Sequence, residues 1–332
     1  MINRSNRRLT FLENALLKQL MELTEEEKSI VQQKQGVMKD IYTSQSNFII
    51  ESEKFLRKDK MITVRKHTRF IDFPKHKHNY IEINYVVNGR LQQKVGNDPI
   101  SLKKGELLFL NQHMEHEIQA CNREDIVVNF IIQPPFFQFI FQYLHEENKL
   151  TDFLINSLFN HTESGQYLYY KVSDVMEIQD IIGKLLKEET NNSILSESTM
   201  KLYMGLLIIE LIKNTDKIQQ NEGVLQNQYL VIEALTYIEE KYQNGTLNEL
   251  AEKLHQSMSS LSKNIKKATG YTFKALLQEK RLSKSKILLE TTDLSIKRII
   301  EEVGYDNISY FYRIFKEKYG MTPKEFRLKL AK

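Results

Sequence analysis

Cysteine is almost absent from this chain of 332 residues, which contains only Cys121. A single thiol excludes a framework of intramolecular disulfides and fits a reducing compartment. Signatures of catalysis are missing as well. The sequence has no glycine-rich phosphate loop, no nucleophile elbow and no Cys–His pairing. We therefore predict a cytoplasmic protein that is not an enzyme and has no cofactor.

Long hydrophobic runs are also lacking. The two most apolar stretches, 126–141 and 204–212, are interrupted by Asn129 and two prolines or by Glu210. A membrane-spanning helix needs about 20 mostly apolar residues, so neither stretch could cross a bilayer. The opening residues MINRSNRRLT lead into an amphipathic pattern and not into the apolar segment of a secretory signal. We expect no membrane partner.

The charges are unevenly distributed along the chain. Residues 246–332 contain 18 Lys+Arg and 10 Asp+Glu, a net charge of +8, whereas residues 1–245 carry a net charge of −4. The length of the chain suggests two or more domains. A basic domain on an acidic body is the pattern expected of a part that contacts nucleic-acid phosphates.

The basic segment contains an internal repeat. TLNELAEKLH (246–255) precedes SMSSLSKNIKKATGYTFKAL (257–276), and SIKRIIEEVG (295–304) precedes NISYFYRIFKEKYGMTPKEF (307–326). The apolar spacing in each copy predicts a short helix, a tight turn and a second helix. Two such helix-turn-helix units on one chain can reach two successive major-groove faces of DNA.

The second helix of each copy leaves one polar face. Side chains of these types hydrogen-bond base edges or phosphates, and we predict that they bind double-stranded DNA. They are Ser259, Ser262, Lys263 and Lys266 in the first copy and Ser309, Tyr312, Arg313 and Lys316 in the second. The alternative is a pair of amphipathic hairpins whose basic faces are only solvated.

Signals for helix ends agree between the copies. Thr246-x-x-Glu249 and Thr322-Pro-Lys-Glu325 have the pattern of capping boxes. Gly270 and Gly320 stand where the end of a helix favours a residue that tolerates positive φ. The apolar faces of the second helices are expected at Leu261, Ile265 and Ala268 and at their counterparts Phe311, Phe315 and Lys318.

The run RLSKSKILLETTDLSIKRIIEEVGYDNISYFYRIFKEKYGMTPKEFR (281–327) resembles the signature of AraC/XylS-type transcription regulators, and the first copy resembles it more loosely. The resemblance implies about seven helices over 229–332, with a long helix near 273–289 bridging the two units. It implies base-facing positions at Ser259, Ser262, Lys263, Ser309, Tyr312 and Arg313. It also implies transcription activation with RNA polymerase as a partner and a small effector, often a sugar or related metabolite.

Two positions depart from the family pattern. Ile300 stands where a small residue normally lets two helices approach, a rule that Ala251 keeps in the first copy. His255 replaces the turn glycine that Gly304 supplies in the second copy. A non-glycine residue with positive φ is strained, so we expect one imperfect packing position in each unit.

Residues 61–133 have a different composition, with short β-branched and aromatic runs cut by turns, which predicts an antiparallel barrel or sandwich. His76-x-His78, Glu82 and Gly89 followed by Gly105 and His116 resemble the two motifs of the cupin barrel. On a strand, His76, His78 and Glu82 would share one polar face. We predict an effector pocket formed by His76, His78, Tyr80, Glu82 and His116.

The histidine and glutamate side chains are also of the ligand types that hold a divalent metal. A metal-free pocket is the interpretation favoured by the resemblance, so no metal is predicted. A metal-binding cupin enzyme fused to a DNA-binding module, and a regulator independent of any effector, stay open as alternatives.

The sequence thus predicts an α+β multidomain fold, with an N-terminal cupin-like antiparallel β-barrel, a helical layer and an all-α C-terminal domain with tandem helix-turn-helix units. The predicted segments are a helical extension (1–60), the barrel sensor (61–133), the helical layer (134–216), a linker (217–228) and the DNA-binding domain (229–332).

Two apolar stripes leave alternatives open. Met204, Leu207, Ile208 and Leu211 either cover the barrel or form a homodimer interface, which the resemblance favours. Near the N-terminus, a heptad-like stripe either dimerises or packs on its own domain; it consists of Leu9, Leu12, Leu16, Leu20 and Leu23.

Overall fold

The computed structural model describes residues 16–32, 36–57, 60–137, 140, 148–159, 165–191, 193–220 and 229–330. The chain divides into two compact units, residues 1–140 with 148–226 and residues 141–147 with 227–332, called here the N-terminal and C-terminal domains. Leu9 and Leu12 of the predicted N-terminal stripe lie outside the described residues, as do residues 221–228 of the predicted linker.

The N-terminal domain contains two β-sheets. The smaller sheet has the strand order β1-β3-β8-β5-β6 and the larger has β11-β10-β7-β4-β9-β2. All described pairings are antiparallel except that of β1 with β3. The strands are β1 (Ile49–Ile50), β2 (Ile62–Lys66), β3 (Phe73–His78), β4 (Ile81–Asn88), β5 (Arg90–Val95), β6 (Asp98–Lys103), β7 (Leu107–Leu110), β8 (His116–Ile118), β9 (Ile126–Ile132), β10 (Tyr167–Tyr170) and β11 (Ile218–Gln220).

The two sheets enclose an apolar core and form a sandwich. Leu91 and Leu102 of the smaller sheet lie in one cluster with Val86, Leu108 and Val127 of the larger sheet. Among the described residues the ladders do not close the sheets into a barrel. The predicted α+β class and the β-rich sensor are therefore confirmed, and the barrel is corrected to an open two-sheet sandwich.

The sandwich extends beyond the predicted limits of 61–133. β1 lies in the predicted extension, β10 in the predicted helical layer and β11 at the start of the predicted linker. β10 pairs with β7 on one side and with β11 on the other. These pairings join segments far apart in sequence, so local patterning could not indicate them.

Helices flank the strands of this domain in the chain. They are α1 (Glu25–Val31) and α2 (Lys39–Tyr42) before the sheets, and α3 (Lys149–Phe159), α4 (Met176–Glu189) and α5 (Ser196–Lys213) after β9. The later helices pack on the larger sheet. The Phe109 ring of β7 lies 6.1 Å from the Phe153 ring of α3, and the Tyr85 hydroxyl of β4 donates to Oε1 of Gln179 in α4 at 2.6 Å.

The C-terminal domain consists of seven helices within its described residues. They are α6 (Tyr229–Lys241), α7 (Leu247–Lys253), α8 (Met258–Thr269), α9 (Phe273–Thr291), α10 (Ile296–Glu302), α11 (Ile308–Tyr319) and α12 (Pro323–Leu330). The long bridging helix expected near 273–289 is α9. Within the described ranges, no helix combines the length and apolar character needed to cross a membrane.

The core of the second unit differs from the prediction at one position. Phe311 and Phe315 are fully buried as expected, together with Ile314. Lys318, the predicted counterpart of Ala268, is instead exposed and forms an ion pair with Glu279 of α9. The correction has a simple cause, because the large rings of Phe311 and Phe315 already fill the core of this unit.

Candidate nucleic-acid interface and ligand site

The two helix-turn-helix units close their turns with the same hydrogen bonds. In the first unit, the Gln256 N–H donates to the Ala251 carbonyl at 2.9 Å. In the second, the Tyr305 N–H donates to the Ile300 carbonyl at 3.0 Å. This pattern ends a helix with one residue in the left-handed region. The two turns therefore have equivalent geometry although their sequences differ.

The residue in the left-handed region differs between the turns. His255 has φ 51° and Gly304 has φ 84°. A Cβ atom at residue 304 would lie 2.0 Å from the carbonyl oxygen of Gln243, so glycine is required there for space as well as for conformation. The first unit instead accepts a strained histidine, as its sequence predicts.

Ile300 is buried in the apolar core of the second unit. It is 1 % exposed and lies in one apolar cluster with Val303, Phe311 and Phe315. Ala251 in the first unit is 3 % exposed. The larger side chain is thus accommodated in the core of the second unit.

The first helix of the first unit is capped in a way that differs from the predicted box. The Thr246 hydroxyl accepts from the Glu249 N–H at 3.2 Å, as expected. The Glu249 carboxylate instead accepts from the Tyr237 hydroxyl at 2.6 Å, and that hydroxyl accepts from the Thr246 N–H at 3.0 Å. Tyr237 of α6 therefore completes the cap. The predicted box of Thr322 and Glu325 forms in both directions.

The second helices of the two units, α8 and α11, are called here the recognition helices. They begin and end at equivalent residues. Ser257 and Asn307 cap their N-termini, accepting from backbone N–H groups at 3.1 and 2.9 Å. Gly270 and Gly320 end them with φ of 75° and 72°. None of the eight predicted DNA-contacting residues is buried: Ser262 and Tyr312 are partly exposed, and Ser259, Lys263, Lys266, Ser309, Arg313 and Lys316 are exposed.

Arg313 is held by two neighbours on its own helix. Its guanidinium lies 3.0 Å from a carboxylate oxygen of Glu317 and 5.2 Å from the ring centre of Tyr310. The ion pair is exposed on both sides, so it orients the side chain without holding it strongly. Arg313 therefore projects from the second recognition helix with its donors accessible.

In the N-terminal domain, four of the predicted pocket residues meet between the two sheets. Nε2 of His78 lies 3.4 Å from Nε2 of His116, and these atoms lie 3.6 and 3.7 Å from the carboxylate oxygens of Glu82. The ring of His76 is centred 4.1 Å from that of His116. This set of His76, His78, Glu82 and His116, called here the His/Glu cluster, is at most 4 % exposed.

The strands bring the cluster together differently from the prediction. His76 and His78 lie on β3 and His116 on β8 of the smaller sheet, whereas Glu82 lies on β4 of the larger sheet. The turn at residues 79–80 separates β3 from β4, so Glu82 does not share one strand face with His76 and His78 as predicted. They face each other across the sandwich. Tyr80 lies beside them, its ring 4.8 Å from that of His78.

Hydrogen bonds fix the orientation of two imidazoles. Nδ1 of His76 donates to the Pro74 carbonyl at 2.8 Å, and Nδ1 of His116 donates to Oε1 of Gln93 at 2.7 Å. Each donation leaves Nε2 as the unprotonated nitrogen. A chain of amides continues to the carboxylate, because Gln93 donates to Asn84 at 3.1 Å and Asn84 donates to Glu82 at 2.8 Å.

Burial determines the protonation of the cluster. It lowers the pKa of His76 to about 4 and holds the pKa of His78 and of His116 well below the usual value. Burial also raises the pKa of Glu82 to about 7, against the hydrogen bond from Asn84. At neutral pH the three imidazoles are therefore uncharged.

The donor set fits a divalent transition metal. The nitrogen donors of His76, His78 and His116 lie within 4.8 Å of one another. Separations of 3.4–3.7 Å are close to the roughly 3.4 Å edge of a tetrahedron with Zn–N bonds of about 2.0–2.1 Å. The adjoining cavity measures only about 20 Å³, which is enough for roughly one water molecule. A sugar does not fit a cavity of this size.

A second buried polar group, which no sequence pattern indicates, joins α1 to the sandwich. Glu27 is fully buried and its carboxylate accepts from Arg69 at 2.7 Å and from Lys66 at 2.8 Å. Arg69 is 1 % exposed and also donates to the Arg123 carbonyl at 2.8 Å. Next to it, Glu26 accepts from the Tyr42 hydroxyl at 2.6 Å. Partners about 40 residues apart leave no local signal in the sequence.

Comparison with known proteins gives the same division of the chain. Residues 61–193 match the model of the AraC-like ligand binding domain, and residues 250–329 match a helix-turn-helix domain. The xylose operon regulatory protein of Haemophilus influenzae is 40 % identical over 100 residues, which cover 30 % of this chain and 26 % of that protein. The transcriptional activator RhaS of Escherichia coli is 22 % identical over 261 residues, which cover 77 % of this chain and 88 % of RhaS.

Among solved structures, ToxT of Vibrio cholerae matches over 82 % of this chain and 100 % of its own, with 17 % identity and a TM-score of 0.34. A ligand-binding domain followed by a helix-turn-helix domain defines a transcription regulator of the DNA-binding, ligand-responsive class. This order of domains is the one that the resemblance to AraC/XylS-type regulators implies. The chain spans about a quarter of the length of the xylose regulator that it matches.

Proposed function

We propose that this protein regulates transcription by binding duplex DNA with the exposed faces of α8 and α11. The main support is that two units with equivalent turns each present four polar residues, none of which is buried. The +8 charge of residues 246–332 adds long-range attraction to phosphates. In this proposal the protein acts in the cytoplasm and is not an enzyme.

A binding titration with the full chain tests the DNA-binding function. Duplexes are first selected from a random pool, and the affinity for them is then measured over a range of salt concentrations. Replacing Lys263 and Lys266 with Ala should weaken binding and reduce the salt dependence by about two ions. Replacing Lys103 and Lys104 with Ala, both exposed in the N-terminal domain, gives the same charge change and should leave binding unchanged. Equal losses in the two variants would count against the proposed faces.

We propose that the ligand of the N-terminal domain contacts His76, His78, Tyr80, Glu82 and His116. The closed geometry of the His/Glu cluster favours a divalent transition metal over a sugar as the occupant of its centre. The three histidines and Glu82 would supply the ligands, and the ion would supply the positive charge that this set of acceptors lacks. Metal analysis of the purified protein and thermal-shift screening against metals and sugars distinguish the two occupants.

Homodimerisation is proposed through α5, with residues other than those predicted. Met204, Leu207, Ile208 and Leu211 are fully buried within their own domain, which leaves them no part in an interface. On the opposite face Leu202 and Leu206, one turn apart, are 59 % and 48 % exposed. Replacing both with Glu should lower the mass found by analytical ultracentrifugation from dimer to monomer. An unchanged mass would exclude this face.

Activation through RNA polymerase is the proposed output. The support is the family, whose relative RhaS is a transcriptional activator by name. A reporter placed behind a selected duplex should respond positively to the full chain. Repression of the reporter would show a repressor and not an activator, but it would leave the DNA-binding proposal intact.

A further inference from the structure

Two exposed apolar side chains occupy the same position in the two recognition helices. Met258 is the first residue of α8 after its cap Ser257, and Ile308 is the first residue of α11 after its cap Asn307. Met258 is 50 % exposed and Ile308 is 44 % exposed. Both therefore present aliphatic surface at the start of a helix whose outer face is otherwise largely polar.

Neither side chain is buried in the core of its unit. Ile308 is absent from the cluster formed by the second unit, although Tyr310 and Tyr312 of the same helix pack against that cluster. The caps fix the helix starts through Ser257 and Asn307, and those hydrogen bonds do not involve the side chains of the next residues. An exposed aliphatic group thus recurs at one position of both units, where it is available for an external contact.

The chemistry of the major groove identifies that contact. The first residues of a recognition helix approach base edges, and the aliphatic group offered there by unmodified DNA is the C5-methyl of thymine. Ser259 and Ser309, which follow directly, are exposed polar residues. Building on the DNA-binding function proposed above, we propose that Met258 and Ile308 each pack against a thymine methyl, one in each half of the bound site, and so determine base preference.

The proposal predicts a response to single methyl groups. Each thymine of a selected duplex is replaced in turn by deoxyuridine, which keeps the base pair and removes only the C5-methyl. For each bound chain, the affinity should fall about fourfold at each of two thymines, the weakening expected when one buried methyl is lost. Met258→Ala should abolish the sensitivity at one of them, and Ile308→Ala at the other. Met258→Leu should keep it.

The control is Leu328→Ala, which removes a side chain with 57 % exposure from α12 and should leave both sensitive thymines unchanged. The proposal would be overturned if no thymine-to-deoxyuridine replacement changed the affinity of the unaltered chain. Variants that bind more weakly but keep the full pattern of sensitivity would also overturn it. Failure to select any duplex would instead refute the DNA-binding function itself, so the two failures are distinguishable.

Discussion

The two domains keep their predicted polar site residues in opposite environments. The His/Glu cluster of the N-terminal domain is enclosed between sheets, with each member at most 4 % exposed. In the C-terminal domain, none of the eight polar residues on α8 and α11 is buried. A buried charge or acceptor is costly without its partner, whereas an exposed one costs little. Substitutions should therefore affect folding in the first domain and DNA affinity in the second.

The strongest expected effect on folding comes from Glu27. Glu27→Gln leaves Arg69 and Lys66 without their countercharge at a buried position and should lower the free energy of unfolding of the N-terminal domain by about 3–5 kcal/mol. The control Glu25→Gln breaks a pair with Lys28 on the same helix, where Glu25 is 90 % exposed, and should cost less than about 1 kcal/mol. Similar losses of unfolding free energy for both variants in urea denaturation would contradict the predicted difference between the buried and the exposed ion pair.

The stability of the N-terminal domain at acid pH should also depend on Glu27. Burial alone would raise the pKa of Glu27, but hydrogen bonds from Arg69 and Lys66 outweigh it and lower the pKa to about 2. Because the folded pKa is below the unfolded value, the stabilisation is present above about pH 4.5 and is lost as the pH falls towards 2. The loss should amount to about 3 kcal/mol in pH-dependent denaturation. Glu27→Gln should remove this loss from the dependence of the unfolding free energy on pH. If the pH dependence is unchanged in the variant, other carboxylates cause the loss.

The His/Glu cluster provides the next prediction. Zn²⁺ at about 100 times its dissociation constant should stabilise the N-terminal domain by about 2.7 kcal/mol, and chelation should reverse the effect. His116→Ala should abolish the response, measured as a thermal shift. His113→Ala changes a histidine outside the metal-ligand group and should keep it. A response that survives loss of His116 would place the ion elsewhere.

In the C-terminal domain, Arg313→Ala should cost about 1–3 kcal/mol of DNA affinity and relax the preference for guanine at one position, because a guanidinium donates to both acceptors of that base. The free energy of unfolding should stay within about 0.5 kcal/mol, since Arg313 is exposed. Base preferences are compared by repeating the duplex selection with the variant. Unchanged preferences would remove Arg313 from base recognition.

The two turns allow a direct comparison between the two units. His255→Gly removes the strain of a non-glycine residue at positive φ and should stabilise the C-terminal domain by about 1 kcal/mol. Gly304→Ala should destabilise it, because its Cβ would meet the Gln243 backbone. Thermal unfolding measures both. Stabilisation by Gly304→Ala would show that the second turn is not crowded in solution.

Sequence reasoning predicted the C-terminal domain more closely because its signals are local. The cap at Thr322 and the left-handed Gly270 and Gly320 depend on residues within one or two turns of each helix. The involvement of Tyr237 in the first cap, by contrast, required knowledge of α6. Lys318 was misassigned because the equivalence of two repeats does not ensure that equivalent positions have the same burial.

In the N-terminal domain, residue types were easier to predict than their arrangement. The histidines and Glu82 do meet, but across two sheets, because the turn at residues 79–80 carries β4 into the opposite sheet. The size of the cavity depends on Tyr42, Tyr80 and Asn129, which come from three distant segments. The partnership of Glu27 with Arg69 likewise arises from packing between α1 and the chain following β2. Such contacts have no period or spacing in the sequence.

Simultaneous contact of both recognition helices with one DNA duplex underlies the proposed function. Hydroxyl-radical footprinting of the full chain on a selected duplex examines that contact without an intermediate assumption. For each bound chain, binding by both helices should protect two segments about 10 base pairs apart, and the triple replacement of Ser309, Arg313 and Lys316 by Ala should remove only one of them. A single protected segment that this variant leaves intact, or no protection at all, would contradict binding through both units.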